Sequence, residues 1–287
     1  MVVISLPLHT RYNMVVTAIH PLVRPYQEDI YRTGLEGFYG AELELVLFRR
    51  GLKGNLIPVL EVARFLGAIW KRYPKLRNSF DKEFYGGQFE IKSGPYKNHM
   101  DLIDNLLYKV FIAQEVAEQF GWEVHAVEFL HGKIPQGVSP LNERYEEYRK
   151  QYPHKADSMY RVASLHIHRG ASSLEQAIDL YNAMVRSLPI IVDKGWIDPT
   201  RLKHFNEIIF PVGYFPPEYN NLDSMVEHAR SHGFLDSLRG NYSAVRIHEI
   251  YGTAELRVMG PTLERSELIK RFRFVDMVCR PYYLMAA

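Results

Sequence analysis

Residues 40–48 read GAELELVLF and alternate acidic with apolar side chains through their first half. Because successive side chains of a β-strand point to opposite faces, this alternation predicts a strand that carries Glu42 and Glu44 on one face. A strand of a parallel sheet, covered on both faces, would instead be apolar throughout. The stretch therefore favours a largely antiparallel sheet with helices on its apolar face and ionisable groups on the other.

The same alternation returns in three later segments, QFEIK at 88–92, SLHIHRG at 164–170 and TAELRV at 253–258. Each of them predicts a strand with an apolar back and a polar front. The side chains expected on these three fronts are Gln88, Glu90, Lys92, His166, His168, Thr253, Glu255 and Arg257.

Apolar spacing and capping signals predict the elements around these strands. Helices are expected over 58–73, 100–120, 142–152 and 262–279, and in short pieces within 198–240. Another helix is expected to start at the capping-box spacing of Ser172–Glu175 and to run through about 187, with Pro189 marking its end. Further strands are expected over 122–129 and on both sides of a turn near Tyr251-Gly252. We therefore expect one α+β domain over 1–287, with a curved, mainly antiparallel sheet that forms a cleft and helices packed on its outer face.

The composition is that of an ordinary globular protein, with 47% hydrophobic and 24% charged residues. Because 35 Lys and Arg nearly balance 33 Asp and Glu, the charge gives no argument for a nucleic-acid partner. A single cysteine, Cys279, excludes an internal disulfide and a multi-cysteine zinc site, and we expect it to be a core residue. The opening MVVISLPLHTRY lacks a basic segment and a cleavage site, and no stretch approaches the ~20 apolar residues of a membrane span, so a cytoplasmic location is expected.

Four glutamates gathered on neighbouring strand fronts, Glu42, Glu44, Glu90 and Glu255, would repel one another. Two carboxylates about 4 Å apart repel by about 4 kcal/mol at an effective dielectric of about 20. Hard cations offset that repulsion, and Mg²⁺ suits oxygen ligands that also face phosphate. The polar fronts are also compatible with ordinary solvent-facing surfaces. The two histidines of His166-x-His168 are compatible with a hydrogen-bonded structural pair or with half of a Zn²⁺ or Fe²⁺ site.

The segments GAELE, QFEIKSGP, SLHIHRGASSLEQAIDLYNAMVRSLP and VRIHEIYGTAELRVMG, in this order, resemble the carboxylate–amine ligases of the glutamate–cysteine ligase type 2 superfamily, relatives of glutamine synthetase. The resemblance covers about a quarter of the chain and implies a glutamine synthetase-like catalytic domain. It implies metal-binding roles for a set of five residues, Glu42, Glu44, Glu90, His166 and Glu255.

The same resemblance implies catalytic roles for Arg257, which would meet the transferred phosphate, for Arg246 as a second active-site arginine, and for Glu255. Substrate- or ATP-binding roles fall to Lys92, Arg144, Tyr145, His168 and Thr253, of which Arg144 and Tyr145 are also compatible with an ordinary surface helix. Three positions depart from the family pattern and put the substrate in doubt: Arg169, Ile247 and Gly260.

The activity implied is ATP- and Mg²⁺-dependent amide formation through an acyl phosphate, with Mn²⁺ as an alternative ion. Glutamate or another amino-acid carboxylate is the expected donor, and the acceptor amine is a small molecule, a peptide or a protein. The sequence leaves open whether the chain forms a homo-oligomer. Two rival readings are a mononuclear metal hydrolase or oxygenase built on His166, His168 and one glutamate, and a non-catalytic binding descendant of the ligase fold.

Overall fold

The computed structural model describes residues 34–51, 57–83, 86–130, 161–204, 215–232, 243–248 and 250–284, together with isolated positions such as Tyr31 and Asn241. Most of the helix predicted over 142–152, and the Arg144-Tyr145 pair within it, lie outside the described residues. Among the described residues, no helix combines the length and the apolar character needed to cross a membrane.

One sheet organises the described residues, and each of its strand pairs is antiparallel. The strands are β1 (Tyr39–Arg49), β2 (Phe80–Lys82), β3 (Gln88–Lys92), β4 (Trp122–His125), β5 (Leu165–Gly170), β6 (Val245–His248) and β7 (Thr253–Met259). Their order is β2-β3-β1-β5-β7-β6, and β4 pairs with the second half of β1. The predicted α+β class and antiparallel sheet are confirmed.

Helices supply the apolar layer behind this sheet. They are α1 (Val59–Arg72), α2 (His99–Gln119), α3 (Leu174–Asp193), α4 (Pro199–His204), α5 (Leu222–Ser231), α6 (Arg265–Cys279) and α7 (Pro281–Leu284), and a 3₁₀ turn spans Pro74–Ser79. Leu43, Leu45 and Ile167 on the back of the sheet are fully buried in one core cluster with residues of α1, α2, α3 and α6. The polar side chains that alternate with them are thereby forced onto the opposite face.

Several predicted element boundaries are wrong. Helix α6 begins at Arg265, three residues later than predicted. The strand over 122–129 ends at His125. The N-cap of α3 is Ser173, whose side chain accepts a hydrogen bond from Gln176 N, so the cap lies one residue later than the Ser172–Glu175 spacing implied. Pro189 does not end α3, which continues to Asp193. A proline inside a helix removes one backbone hydrogen bond, but Leu188 and Ile191 are fully buried, so packing of this last turn outweighs the loss.

Candidate active site

Strand β1 lies at the centre of the polar face, between β3 and β5. The register places Glu42 opposite Lys92 on one side and opposite His166 on the other, while Glu44 lies opposite Glu90. Directly opposed residues of an antiparallel pair point to the same face. The register alone therefore gathers carboxylates and imidazoles from three strands.

Strand β7 completes the cluster from the far side of β5. Glu255 lies opposite His168, and on the β6 side it lies opposite Arg246. A β-bulge interrupts the β5–β7 pairing around His166: Leu165 pairs with Met259 and Ile167 with Leu256, so two residues of β7 oppose His166. Arg257 is one of these two residues.

Side-chain distances confirm the convergence. His166 Nδ1 is 3.0 Å from Glu42 Oε2 and 3.4 Å from Glu255 Oε1, and His166 Nε2 is 3.4 Å from Glu44 Oε1. Two groups of three side chains have potential ligand atoms within 4.8 Å of one another, and both groups contain Glu42. They are Glu42, Glu90 and His166 in one group and Glu42, His168 and Glu255 in the other.

Cations flank this acidic centre on both sides. Arg246 Nε and Nη2 donate to the two oxygens of Glu255, and Arg257 Nη1 is 3.5 Å from Glu255 Oε1. On the β3 side, Lys92 Nζ is 3.1 Å from carboxylate oxygens of both Glu90 and Asp81. The charges are thus arranged as a carboxylate centre with arginines towards β6 and β7 and one lysine towards β2.

The carboxylates divide into two electrostatic classes. Burial raises the pKa of Glu44 to about 7, against the charges of Arg257 and Arg201. Burial and the neighbouring Glu42 hold the pKa of Glu90 well above its ordinary value.

The other two carboxylates remain ionised. Burial opposes ionisation of Glu42, but the hydrogen bond from His166 and the charge of His168 lower its pKa below the ordinary value. Burial likewise opposes ionisation of Glu255, but Arg246 and Arg257 hold its pKa well below the ordinary value. A divalent cation bound among these carboxylates would lower the raised pKa values of Glu44 and Glu90.

His168 has a nitrogen suited to a ligand. Its Nδ1 lies 3.0 Å from Thr253 Oγ1, whereas its Nε2 is buried and has no hydrogen-bond partner among the described residues. Burial lowers the pKa of His168, which favours the neutral imidazole. A neutral imidazole with one nitrogen oriented by a hydroxyl and a lone pair on the other is a typical metal ligand. The donor set of carboxylate oxygens with one or two imidazoles fits a hard divalent cation.

A cavity of about 340 Å³ adjoins the cluster at the start of β1 and the end of β3. Glu42, Lys92, His168 and Thr253 border it on the cluster side. Its remaining walls are largely apolar or backbone and include Leu35, Phe38, Tyr39, Ala41, Gly94, Pro95 and Tyr251. Tyr251, one of these wall residues, stacks on His248, with ring centroids 4.3 Å apart.

All the predicted site residues that the structure describes lie on this polar face. They are Glu42, Glu44, Glu90, Lys92, His166, His168, Arg246, Thr253, Glu255 and Arg257. Arg144 and Tyr145 lie outside the described residues, so their predicted role stays a prediction.

Several residues near the site were missed by sequence reasoning. His248 alternates with Arg246 on β6, so the period-two rule applied to VRIH would have found it. Asp81 pairs with Glu90 from the short strand β2, which is too brief to show a period. Arg201 and Glu128 approach the site from α4 and from the loop after β4, and no sequence pattern identifies them.

Two of the positions that depart from the family pattern have structural explanations. The Arg169 guanidinium lies on the back of β5, 3.6 Å from the ring centroid of Tyr39 and 4.8 Å from that of Tyr283, where it packs against the C-terminal segment. Gly260 lies against the Glu128 carboxylate, and a Cβ at this position would be 2.3 Å from Glu128 Oε2. Both departures therefore concern packing beside the site and leave the acidic cluster intact.

Two solved structures and one family model match the chain. The crystal structure of a bifunctional glutathione synthetase from Pasteurella multocida superposes with a TM-score of 0.53 at 13% sequence identity, over 91% of this chain and 41% of that protein. The ligand-free structure of GmaS gives a TM-score of 0.45 at 13% identity, over 86% of this chain and 56% of that protein. No curated protein matches the chain. The model of one family matches residues 38–192, which include β1, β3 and β5, and the chain belongs to that family, glutamate-cysteine ligase family 2.

Proposed function

We propose that this chain is an ATP- and Mg²⁺-dependent ligase that joins a carboxylate to an amine. The observation that carries the proposal is the convergence of Glu42, Glu90 and Glu255 with two histidines in two potential ligand groups that share Glu42. Family membership supports the same class of reaction. At 13% identity the Pasteurella structure supports the fold alone, and the chain spans only 41% of the length of that protein.

Two ligand groups that share one carboxylate favour a pair of closely spaced cations over a mononuclear centre. His166 belongs to the group with Glu90 and His168 to the group with Glu255, so among the described residues the two imidazoles do not form a single three-residue site. This arrangement argues against a mononuclear hydrolase or oxygenase built on both histidines. Mg²⁺ held here would neutralise phosphate oxygens of ATP, which is the main catalytic requirement of phosphoryl transfer.

The surroundings of the cluster suggest how ATP lies. The cavity beside Gly40 has aromatic and apolar walls that suit a purine base, and it is bordered on the side of the acidic centre by Glu42, Lys92, His168 and Thr253. A nucleotide with its base in this cavity would direct its phosphates towards the carboxylates. Lys92 then neutralises phosphate charge as a point cation.

The arginines occupy the opposite side of the centre. Arg257 at the β7 bulge lies 3.5 Å from Glu255 Oε1, and its buried Nη1 has no hydrogen-bond partner among the described residues. A guanidinium in this place stabilises charge on the phosphoryl group as it passes from ATP to the substrate carboxylate. Arg246, which is bound more closely to Glu255, orients that carboxylate and stabilises the same charge less directly.

An amine does not readily displace hydroxide from a carboxylic acid, because hydroxide is a poor leaving group. The carboxylate must therefore be activated first. Transfer of the γ-phosphoryl of ATP to the carboxylate produces an acyl phosphate and ADP, and attack by the amine nitrogen expels inorganic phosphate. The chain binds and orients both reactants and excludes water while the acyl phosphate exists. We propose glutamate or another amino-acid carboxylate as donor, a small amine, peptide or protein as acceptor, and residues 1–287 as one ligase domain.

The test is a product assay. The protein is incubated with ATP, Mg²⁺ and pooled carboxylates and amines, and ADP and new masses are followed. We expect ADP release that depends on a carboxylate, on Mg²⁺ or Mn²⁺, and on Arg257, with Arg257→Ala lowering the rate at least ~100-fold. Nucleotide turnover that persists unchanged in Arg257→Ala, or tight stoichiometric Zn²⁺ or Fe²⁺ without nucleotide binding, would contradict the proposal.

A further inference from the structure

Glu44 is held differently from the other carboxylates of the centre. One of its oxygens accepts a hydrogen bond of 2.6 Å from the backbone N–H of Ser164, just before β5. Its other oxygen lies 3.4 Å from His166 Nε2. The direction in which Glu44 presents its remaining lone pairs therefore depends on where Ser164 is fixed.

Arg201 holds the side chain of Ser164 in place. The Arg201 side chain is completely buried, and its Nη2 donates to Ser164 Oγ. Its Nη1 donates to the carbonyl oxygen of Val258 at 2.6 Å, which ties Ser164 to the bulged part of β7. One guanidinium thus connects the residue that holds Glu44 to the strand that carries Arg257.

Glu128 supplies the countercharge that this buried guanidinium requires. Glu128 Oε1 is 3.1 Å from Arg201 Nη1 and accepts a hydrogen bond of 2.7 Å from Asp198 N, at the start of α4. The absence of a side chain at Gly260 provides the space for this carboxylate. A buried ion pair seldom adds stability compared with apolar packing of the same volume, so a role in orientation is the more economical explanation for its presence.

We propose that Arg201 is a positioning residue that, through Ser164, holds Glu44 in the orientation needed to ligate a divalent cation, with Glu128 as its buried anchor. The inference rests on the proposed function, because it assumes that the centre binds a cation. Arg201 would act on the cation indirectly, through its side-chain hydrogen bond to Ser164 and through its positive charge near Glu44.

The test is Mn²⁺ binding to the full chain without nucleotide, followed by electron paramagnetic resonance of free Mn²⁺. We expect Arg201→Gln to lower the affinity of one Mn²⁺ site about 10- to 100-fold, the range typical of residues that orient metal ligands. Arg201→Lys should give an intermediate loss, because an ammonium keeps the charge but cannot reproduce the two-armed contact with Ser164 and Val258. Ser164→Ala, which keeps the backbone N–H to Glu44, should weaken binding about threefold or more.

Arg271→Gln is the matched control, since it also removes a buried guanidinium, one that donates to the Gly260 carbonyl and not to Ser164. We expect its Mn²⁺ dissociation constant to equal that of the wild type. If the wild type binds Mn²⁺ and both Ser164→Ala and Arg201→Gln bind it with the same affinity, the positioning role is overturned and the proposed function stands. If Arg201→Gln does not fold, Ser164→Ala decides alone. Absence of Mn²⁺ binding by the wild type would overturn both proposals.

Discussion

Glu42 and His166 lie directly opposite each other on β1 and β5, and the imidazole Nδ1 is 3.0 Å from a carboxylate oxygen. The pair sits where the sheet gathers its charge, since Glu42 is also opposite Lys92 on β3. A slip of one residue in the β1–β5 register would send His166 to the apolar back of the sheet. The buried side chains of that back, Leu43 and Ile167 among them, therefore hold the site in register as well as the fold.

The first prediction concerns Glu42, which belongs to both potential ligand groups. Glu42→Gln keeps the shape of the side chain but removes a negative charge that Mg²⁺ would need. We expect Mn²⁺ or Mg²⁺ affinity, measured by titration calorimetry, to fall more than ~10-fold, and ADP release to fall with it.

Glu118→Gln serves as the charge-matched control, because Glu118 lies exposed on α2, paired with Arg50 far from the site. It should leave ion affinity and turnover unchanged. Equal ion affinities for Glu42→Gln and Glu118→Gln would show that Glu42 does not bind the cation.

Much of the fold follows from local pattern. The alternation in GAELELVLF and QFEIK fixes which residues share a face, and the boundaries of β3 agree with the predicted strand, 88–92. Which strands are neighbours does not follow from alternation, because any strand with an apolar back would pair with any other. The sequence therefore does not predict the order β3-β1-β5-β7, which the structure shows.

Contacts at long sequence separation account for what the sequence could not predict. The β-bulge opposite His166 depends on how β7 packs across β5, and no residue type near Arg257 signals it. Arg201 is buried by contacts with Glu128, Ser164 and Val258, each far from it in sequence. The continuation of α3 through Pro189 likewise reflects core packing overriding a local signal.

The second prediction tests the N-cap of α3. Ser173 Oγ accepts from Gln176 N, whereas Ser172 donates through its backbone N–H and its hydroxyl to the Gln176 side chain. Ser173→Ala should lower the free energy of unfolding by about 1 kcal/mol, because a helix N–H loses its acceptor. Ser172→Ala keeps the backbone hydrogen bond and should cost less. Urea unfolding of both variants measures the difference, and a larger loss for Ser172→Ala would place the cap at the earlier serine.

The third prediction concerns Lys109, which is buried on α2. Its Nζ donates to the carbonyl oxygens of Lys92 and Ser93 at 2.6 and 3.1 Å, at the end of β3. Burial lowers the pKa of Lys109 to about 8. Between pH 8 and the ordinary lysine pKa of about 10.5, the unfolded chain therefore binds more protons than the native one. The lysine's contribution to stability should rise with pH over this interval, by at most about 1.4 kcal/mol per pH unit.

Lys109→Met isolates that contribution, since it removes the titrating group and keeps a side chain of similar length. Tyrosines such as Tyr39, whose pKa burial raises to about 12, titrate in both proteins, so their effect cancels in the difference. Urea unfolding of both proteins at several pH values should show that the free energy of unfolding of the wild type rises relative to that of the variant from pH 8 upwards. A difference that stays constant with pH would mean that the ammonium is not destabilised by its surroundings.

The last prediction concerns Gly170, at the end of β5 beside the cavity. Its N–H donates to Phe38 O, its carbonyl accepts from Gly37 N, and a Cβ on it would lie 1.8 Å from Leu35 O. Because the obstacle is backbone, Gly170→Ala must shift the strand end, and we expect a loss of about 2–3 kcal/mol in the free energy of unfolding. Gly67→Ala, in α1 with open space around the new Cβ, should instead gain up to about 1 kcal/mol. If urea unfolding finds Gly170→Ala as stable as the wild type, the chain before β1 does not close on β5 as tightly as the structure has it.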